Sequence, residues 1–167
     1  MPARLLISDA NILIDMTEGG LLRSMFKLKF AFAVPDTLFE EELRTHHPDL
    51  QYLGLQSIEL EGDAVAYAGR LVQKYAVTGA GTNDLLALAL AWQEECPLLT
   101  GDPRLREAAE NEEVEVHGTL WLVEQLVNAG LIKPKRARQA YDAMRAVGRR
   151  LPWDDVTRQL KELEAKN

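Results

Sequence analysis

Asn83-Asp84-Leu85-Leu86-Ala87-Leu88-Ala89-Leu90-Ala91-Trp92, followed shortly by Pro97-Leu98-Leu99-Thr100-Gly101-Asp102-Pro103, decides the fold. From Asp84 to Trp92 the first run is strongly helical and almost wholly apolar, so the helix it predicts must be buried around most of its circumference. A glycine-punctuated loop over residues 77–81 precedes it, and Thr82 or Asn83 can cap its start. The second run reads as a short apolar strand, and Gly101-Asp102-Pro103 as a tight turn into a helix ending near Asn111. A helix covered on most sides, leading into a strand with no polar face, belongs to a parallel sheet with helices on both faces.

The flanking sequence repeats this order. Residues 5–8 form an apolar run ended by Asp9-Ala10-Asn11, residues 12–16 read as helical, and Gly19-Gly20 stops them. Residues 30–34 predict a second strand, with Pro35 and Asp36 starting a helix that runs to about Arg44. A short strand at residues 57–60, a helix over 63–75 and a final strand at 114–116 complete the series. Three helical patterns follow, over 120–128, 134–147 and 152–164. The expected fold class is α/β, a three-layer α/β/α sandwich around a mostly parallel sheet with added C-terminal helices. Residues 1–130 would form the main domain, and 131–167 a helical extension packed on it.

Composition narrows the class. With 167 residues, 47% hydrophobic and 27% charged, the chain can bury about 70% of its unfolded surface in one core. Cys96 is the single cysteine, so no intramolecular disulfide forms. No run approaches the ~18 apolar residues of a membrane helix, and a cytoplasmic protein without a membrane role is the expectation. The net charge of −7 argues against nucleic-acid binding by the chain as a whole. Residues 133–150, however, carry seven basic side chains against one acid, Asp142, for a local charge of +6 beside a body at −13. A basic segment next to carboxylates suits a polyanion held near metal-loaded acids; taken alone, it also suits a solvated helix face.

Asp9, the Glu40/Glu41 pair, Asp84 and Asp102 each fall where a strand ends or the next helix begins, the edge at which open parallel sheets build their sites. Each also has a plain structural reading. Asp9 and Asp102 can cap helices, and Asp84 in a first helical turn gains about 0.3–1 kcal/mol from the helix dipole. Helical spacing, with Leu38 three residues before Glu41, places Glu41 nearest the buried side. Together they offer hard oxygen donors of the kind that Mg²⁺ and Mn²⁺ prefer. His46, His47 and His117 lack the spacing of a zinc site, and the glycines of residues 79–81 lack the Lys-Ser/Thr of a phosphate loop.

Four of these stretches resemble PIN-domain motifs in the order of that family. Ile7-Ser8-Asp9-Ala10-Asn11-Ile12-Leu13-Ile14-Asp15 is similar to its opening motif, and Val34-Pro35 with Leu38 and Glu41 to its second. Asn83-Asp84-Leu85-Leu86-Ala87-Leu88-Ala89 and Leu98-Leu99-Thr100-Gly101-Asp102 are similar to the third and fourth. The resemblance spans residues 5–116, and small bacterial and archaeal members of the family include VapC-type toxins. It implies a Mg²⁺- or Mn²⁺-dependent endoribonuclease with Asp9, Glu41, Asp84 and Asp102 as its acidic pocket. Asp9 and Asp84 would be the firmest metal ligands, Asp102 a ligand directly or through water, and Glu41 the group orienting a second metal or the attacking water. Asn11 stands where a threonine or serine is frequent and retains the capacity to hydrogen-bond a water, Thr100 is a supporting donor, and Asp15 is not carried over as a ligand. An antitoxin protein and a homodimer are implied as partners besides RNA. Two other readings fit the sequence. One is a catalytically silent PIN-like module that binds RNA or protein. The other is a phosphatase of another doubly wound family, which Asp9-Ala10-Asn11 disfavours for want of a second aspartate two residues on.

Overall fold

The computed structural model describes residues 3–166. Its centre is a five-stranded sheet of β1 (Arg4–Ser8), β2 (Phe30–Pro35), β3 (Gln56–Ile58), β4 (Leu98–Leu99) and β5 (Val116–His117), ordered β3-β2-β1-β4-β5. Every pairing is parallel, with Leu6 opposite Phe32 and Ser8 opposite Leu99. Leu6, Ile7, Ala33, Val34, Leu98 and Leu99 have no exposed surface, as a sheet covered on both faces requires.

Ten α-helices accompany the sheet among the described residues: α1 (Ala10–Glu18), α2 (Leu22–Met25), α3 (Asp36–Leu38), α4 (Leu50–Leu53), α5 (Asp63–Tyr75), α6 (Thr82–Gln93), α7 (Pro103–Asn111), α8 (Thr119–Asn128), α9 (Pro134–Ala146) and α10 (Trp153–Ala165). The apolar helix is α6, lying against β1, β2 and β4 with α5 beside it, and its residues Leu85 and Ala87 through Ala91 are buried. On the other side α1 meets α2, α8 and α9, giving the three-layer α/β/α sandwich. Among the described residues no helix is long and apolar enough to cross a membrane.

Two features position the C-terminal helices. A Cβ on Gly19 would come within 2.6 Å of Met144 Cε and 3.3 Å of the Ala140 side chain, so the absence of a side chain lets α9 close on the end of α1. Arg136 then donates to the carbonyls of Gly19 and Gly20, each at 3.0 Å. Gly148, with φ +83°, ends α9 in the left-handed conformation and turns the chain so that Arg149 points back toward α1.

The helix after β2 departs from the expected regular spacing. It begins as α3 and widens into a π-helical turn over Phe39–Leu43, which buries Phe39 and Leu43 while Glu40, Glu41 and Glu42 remain exposed. The five-residue gap from Leu38 to Leu43 is the cause, because both reach the core only if the turn holds an extra residue. Glu41 is therefore not drawn to the buried side as α-helical phase predicts.

Away from the sheet edge, Glu112 ties α5 to the end of α7. It accepts hydrogen bonds from Tyr75 Oη at 2.6 Å, Lys74 Nζ at 2.7 Å and Tyr67 Oη at 2.8 Å. Desolvation raises the Glu112 carboxyl, but these donors together outweigh it and hold the group below the usual range. A lowered folded-state pKa contributes stability at neutral pH that is lost as pH falls through the carboxylate range. Urea midpoints measured from pH 6 to pH 3 should fall more steeply for the wild type than for Glu112→Gln, and parallel slopes would refute this.

Candidate active site

β1 and β4 are neighbours in space, yet β1 is followed by a crossover to one side and β4 by a crossover to the other, which makes their carboxyl ends the switch point of the sheet. Both strands end in an aspartate. Asp9 follows β1 and caps α1, its Oδ1 accepting from the Ile12 N–H at 2.9 Å. Asp102 follows β4 and caps α7, its Oδ1 accepting from the Arg104 N–H at 2.9 Å, with Pro103 in the first helical position where a missing N–H costs nothing. Thr100 joins the two strand ends. Its hydroxyl donates to Asp9 Oδ2 at 2.6 Å and accepts from the Asp102 N–H at 3.0 Å.

Asp9 has no exposed surface. Burial pushes its carboxyl up from 3.8 to about 7; the bonds from Thr100 and Ile12 pull it back, and the charges of Asp84 and Asp15 push it further. Asp84 lies in the first turn of α6, and its carboxylate makes no hydrogen bond with any described residue. Burial raises it to about 6, with the carboxylates of Asp102 and Glu42 adding to the rise and Arg104 opposing it. Capping accounts for where Asp9 and Asp102 stand. It does not account for adjoining carboxylates that resist ionisation, an arrangement that costs stability unless a cation or proton relieves it.

The sequence-predicted residues open onto two shallow clefts. Glu41, Glu42, Asn83 and Asp84 line one of about 290 Å³, in which Asn83 Nδ2 donates to Glu41 Oε1 at 3.4 Å. Asn11, Asp102, Arg104, Arg149 and Arg150 line the other, of about 300 Å³. Asp9 lines neither cleft, and Glu40 pairs with Arg44 at 2.7 Å.

Among the described residues no group of three His, Cys, Asp or Glu side chains is arranged to hold a metal ion. The free donors are fewer: both Asp84 oxygens are uncommitted, Asp102 uses only Oδ1, and both oxygens of Asp9 accept hydrogen bonds. Two carboxylates completed by water and phosphate are what Mg²⁺ usually takes from a protein; Asp84 and Asp102 are the two with uncommitted oxygens, each lining its own cleft and close enough for the charge of Asp102 to raise the Asp84 carboxyl.

Arg149 is a residue the motifs do not indicate. Its Nε donates to Asp15 Oδ1 at 2.6 Å and its NH2 group to Asn11 Oδ1 at 3.3 Å, while Thr119 Oγ1 donates to Asp15 Oδ2 at 2.8 Å. Asp15 thus serves as the anchor of a cation beside the site. The signal for Arg149 lay in Gly148, a helix stop just ahead of two arginines.

No curated protein matches the chain significantly. A family model described as PIN domain matches residues 5–165, which takes in the sheet, the acidic switch point and all three C-terminal helices. This chain belongs to the PIN-domain family, whose fold is of the nuclease type.

Proposed function

We propose that the protein is a divalent-metal-dependent endoribonuclease that hydrolyses RNA phosphodiester bonds, and that it acts as the toxin of a toxin–antitoxin pair. The observation that carries the nuclease reading is the half-buried, hydrogen-bond-free carboxylate of Asp84 facing the charges of Asp102 and Glu42. Such a site has a use for a cation and little use without one.

Asp84 and Asp102 would hold Mg²⁺ or Mn²⁺ through their free oxygens. When bound, the ion neutralises the phosphate and activates water for in-line attack. Asp9, gripped by Thr100 and Ile12, fixes the ends of β1 and β4 relative to one another. Glu41, which accepts from Asn83, would orient the attacking water. Asn11 gives its carbonyl oxygen to Arg149, leaving its amide N–H groups to bond a water or a phosphate oxygen.

The toxin assignment rests on the motif resemblance, and with it an antitoxin, cytoplasmic action and a homodimer. Helices α8 and α9 bury Leu122, Val123, Leu126, Ala137, Tyr141 and Met144 within this chain, so a dimer would use other surface. The second reading, a silent PIN-like module, is favoured by the lack of a three-carboxylate group among the described residues. Titrating Mg²⁺ or Mn²⁺ against an end-labelled RNA separates the two. Metal-dependent product that disappears in Asp84→Asn supports the nuclease, whereas RNA binding without product at any metal concentration establishes the silent module. Growth arrest on induced expression, relieved by the same substitution, tests the toxin role.

A further inference from the structure

A cleft of about 750 Å³ opens where the start of α7, the β5–α8 junction and the segment after Gly148 meet. It shares Asp15, Gly101, Pro103 and Arg150 with the cleft that contains Asp102, so the two form one path leading away from the carboxylates. Its volume is within the range of small-molecule sites.

The balance of charge along this path is unlike that of the acidic body. Asp15 is paired with Arg149, and Asp155, on α10, with Arg158. Arg106 and Arg150 also line the cleft, and neither guanidinium makes a hydrogen bond or ion pair with any described residue. Arg106 is half-buried. Its guanidinium lies 3.2 Å from where a Cβ on Gly118 would be, so the glycine leaves it room against the β5–α8 turn. A guanidinium taken partly out of water without a partner is costly, and its planar fork matches a phosphate. The apolar wall does not offer a base-stacking face: Trp121 stacks on His117 at 4.2 Å and contacts Phe30 on another side.

We infer that this cleft is a binding subsite for a nucleotide flanking the scissile bond of single-stranded RNA, with Arg106 and Arg150 as ligands of its phosphate. The inference rests on the nuclease reading for its substrate. Because the contacts are to phosphate and not to a base edge or face, the subsite tolerates any base.

Fluorescence anisotropy of a labelled 12-nucleotide RNA, bound to Asp84→Asn so that no cleavage intervenes, tests it. Adding Arg106→Ala and Arg150→Ala should weaken binding at least tenfold, and should lower the slope of log affinity against log salt by roughly 0.7 for each lost phosphate contact. Arg23→Ala with Lys27→Ala, on the surface around α2, should change neither quantity. Arg150→Ala alone, in an exposed linker, should retain the parent's melting temperature and still lose affinity. Unchanged affinity and salt slope in both arginine variants overturns the subsite, as does a parent that binds no RNA. Cleavage by the wild type together with unchanged binding in the variants sinks the subsite alone. Arginine-dependent binding without cleavage by the wild type sinks the nuclease reading and leaves the subsite standing.

Discussion

Asp9→Asn should abolish RNA cleavage and, in metal-free protein at pH 8, raise the melting temperature by on the order of 10 °C. Burial dominates the environment of Asp9 and lifts its carboxyl from 3.8 to about 7. Three pKa units correspond to about 4 kcal/mol by which the fold disfavours the ionised group once pH exceeds 7. The sign follows from linkage. A folded-state pKa raised above the unfolded value leaves stability intact below pH 4 and removes it progressively between about pH 4 and pH 7. Asparagine carries no charge, its carbonyl can still accept from Ile12, and its amide can donate to Thr100. The stabilisation should therefore be large at pH 8, shrink through pH 5 and vanish near pH 4, as followed by calorimetry in chelator. A gain of the same size at every pH would show that its origin is not the buried charge.

Asp15→Ala should have the opposite effect on stability, costing about 2–3 kcal/mol, equivalent to roughly 5–10 °C in melting temperature. Asp15 is 5% exposed and joins three elements: α1, which carries it, α8 through Thr119, and the chain beyond α9 through Arg149. Its removal strands a guanidinium and a hydroxyl together. The cost falls below that of a fully buried pair because the Arg149 side chain is 24% exposed and keeps some water. Relief of the repulsion on Asp9 offsets a smaller part. Asp15→Asn retains an acceptor for Thr119 and should lose less. In a double-mutant cycle, Asp15→Ala combined with Arg149→Met should cost less than the two single effects added. Strict additivity would mean that the pair contributes nothing.

The elements most legible in the sequence are those whose periodicity is long enough to dominate local competition. Helix α5 occupies the expected residues 63–75, and α6 extends the predicted helix by two residues at its start and one at its end. Helices α2 and α4 have four residues each, too few for a repeating apolar face to announce them. The last strand lies at Val116–His117, beyond most of the expected 114–116, because Glu113 adopts φ +62° and delays the extended segment. Helical spacing predicts a regular helix after β2, and the interval from Leu38 to Leu43 is the sequence sign of the wider turn found there. At the switch point the strand-end aspartates are visible as a pattern. Their distribution over two clefts is not, since it depends on side-chain directions that no local pattern carries. For Arg149 the helix stop at Gly148 is a signal in the sequence, but its partner is not, because Asp15 lies on the first helix of the chain.

That last contact bears on the order in which the molecule is completed. Asp15 and Arg149 are 134 positions apart, so closing them together carries one of the largest loop entropies available to this chain. The sheet strands can associate around α6 beforehand, because β1, β2 and β4 need nothing that follows residue 117. On a translating ribosome the aspartates at the strand ends would then be in place, with Arg104 already beside Asp102, while Arg149 and Arg150 were still being synthesised. The cationic border of the site is therefore completed only when the last quarter of the chain docks on α1.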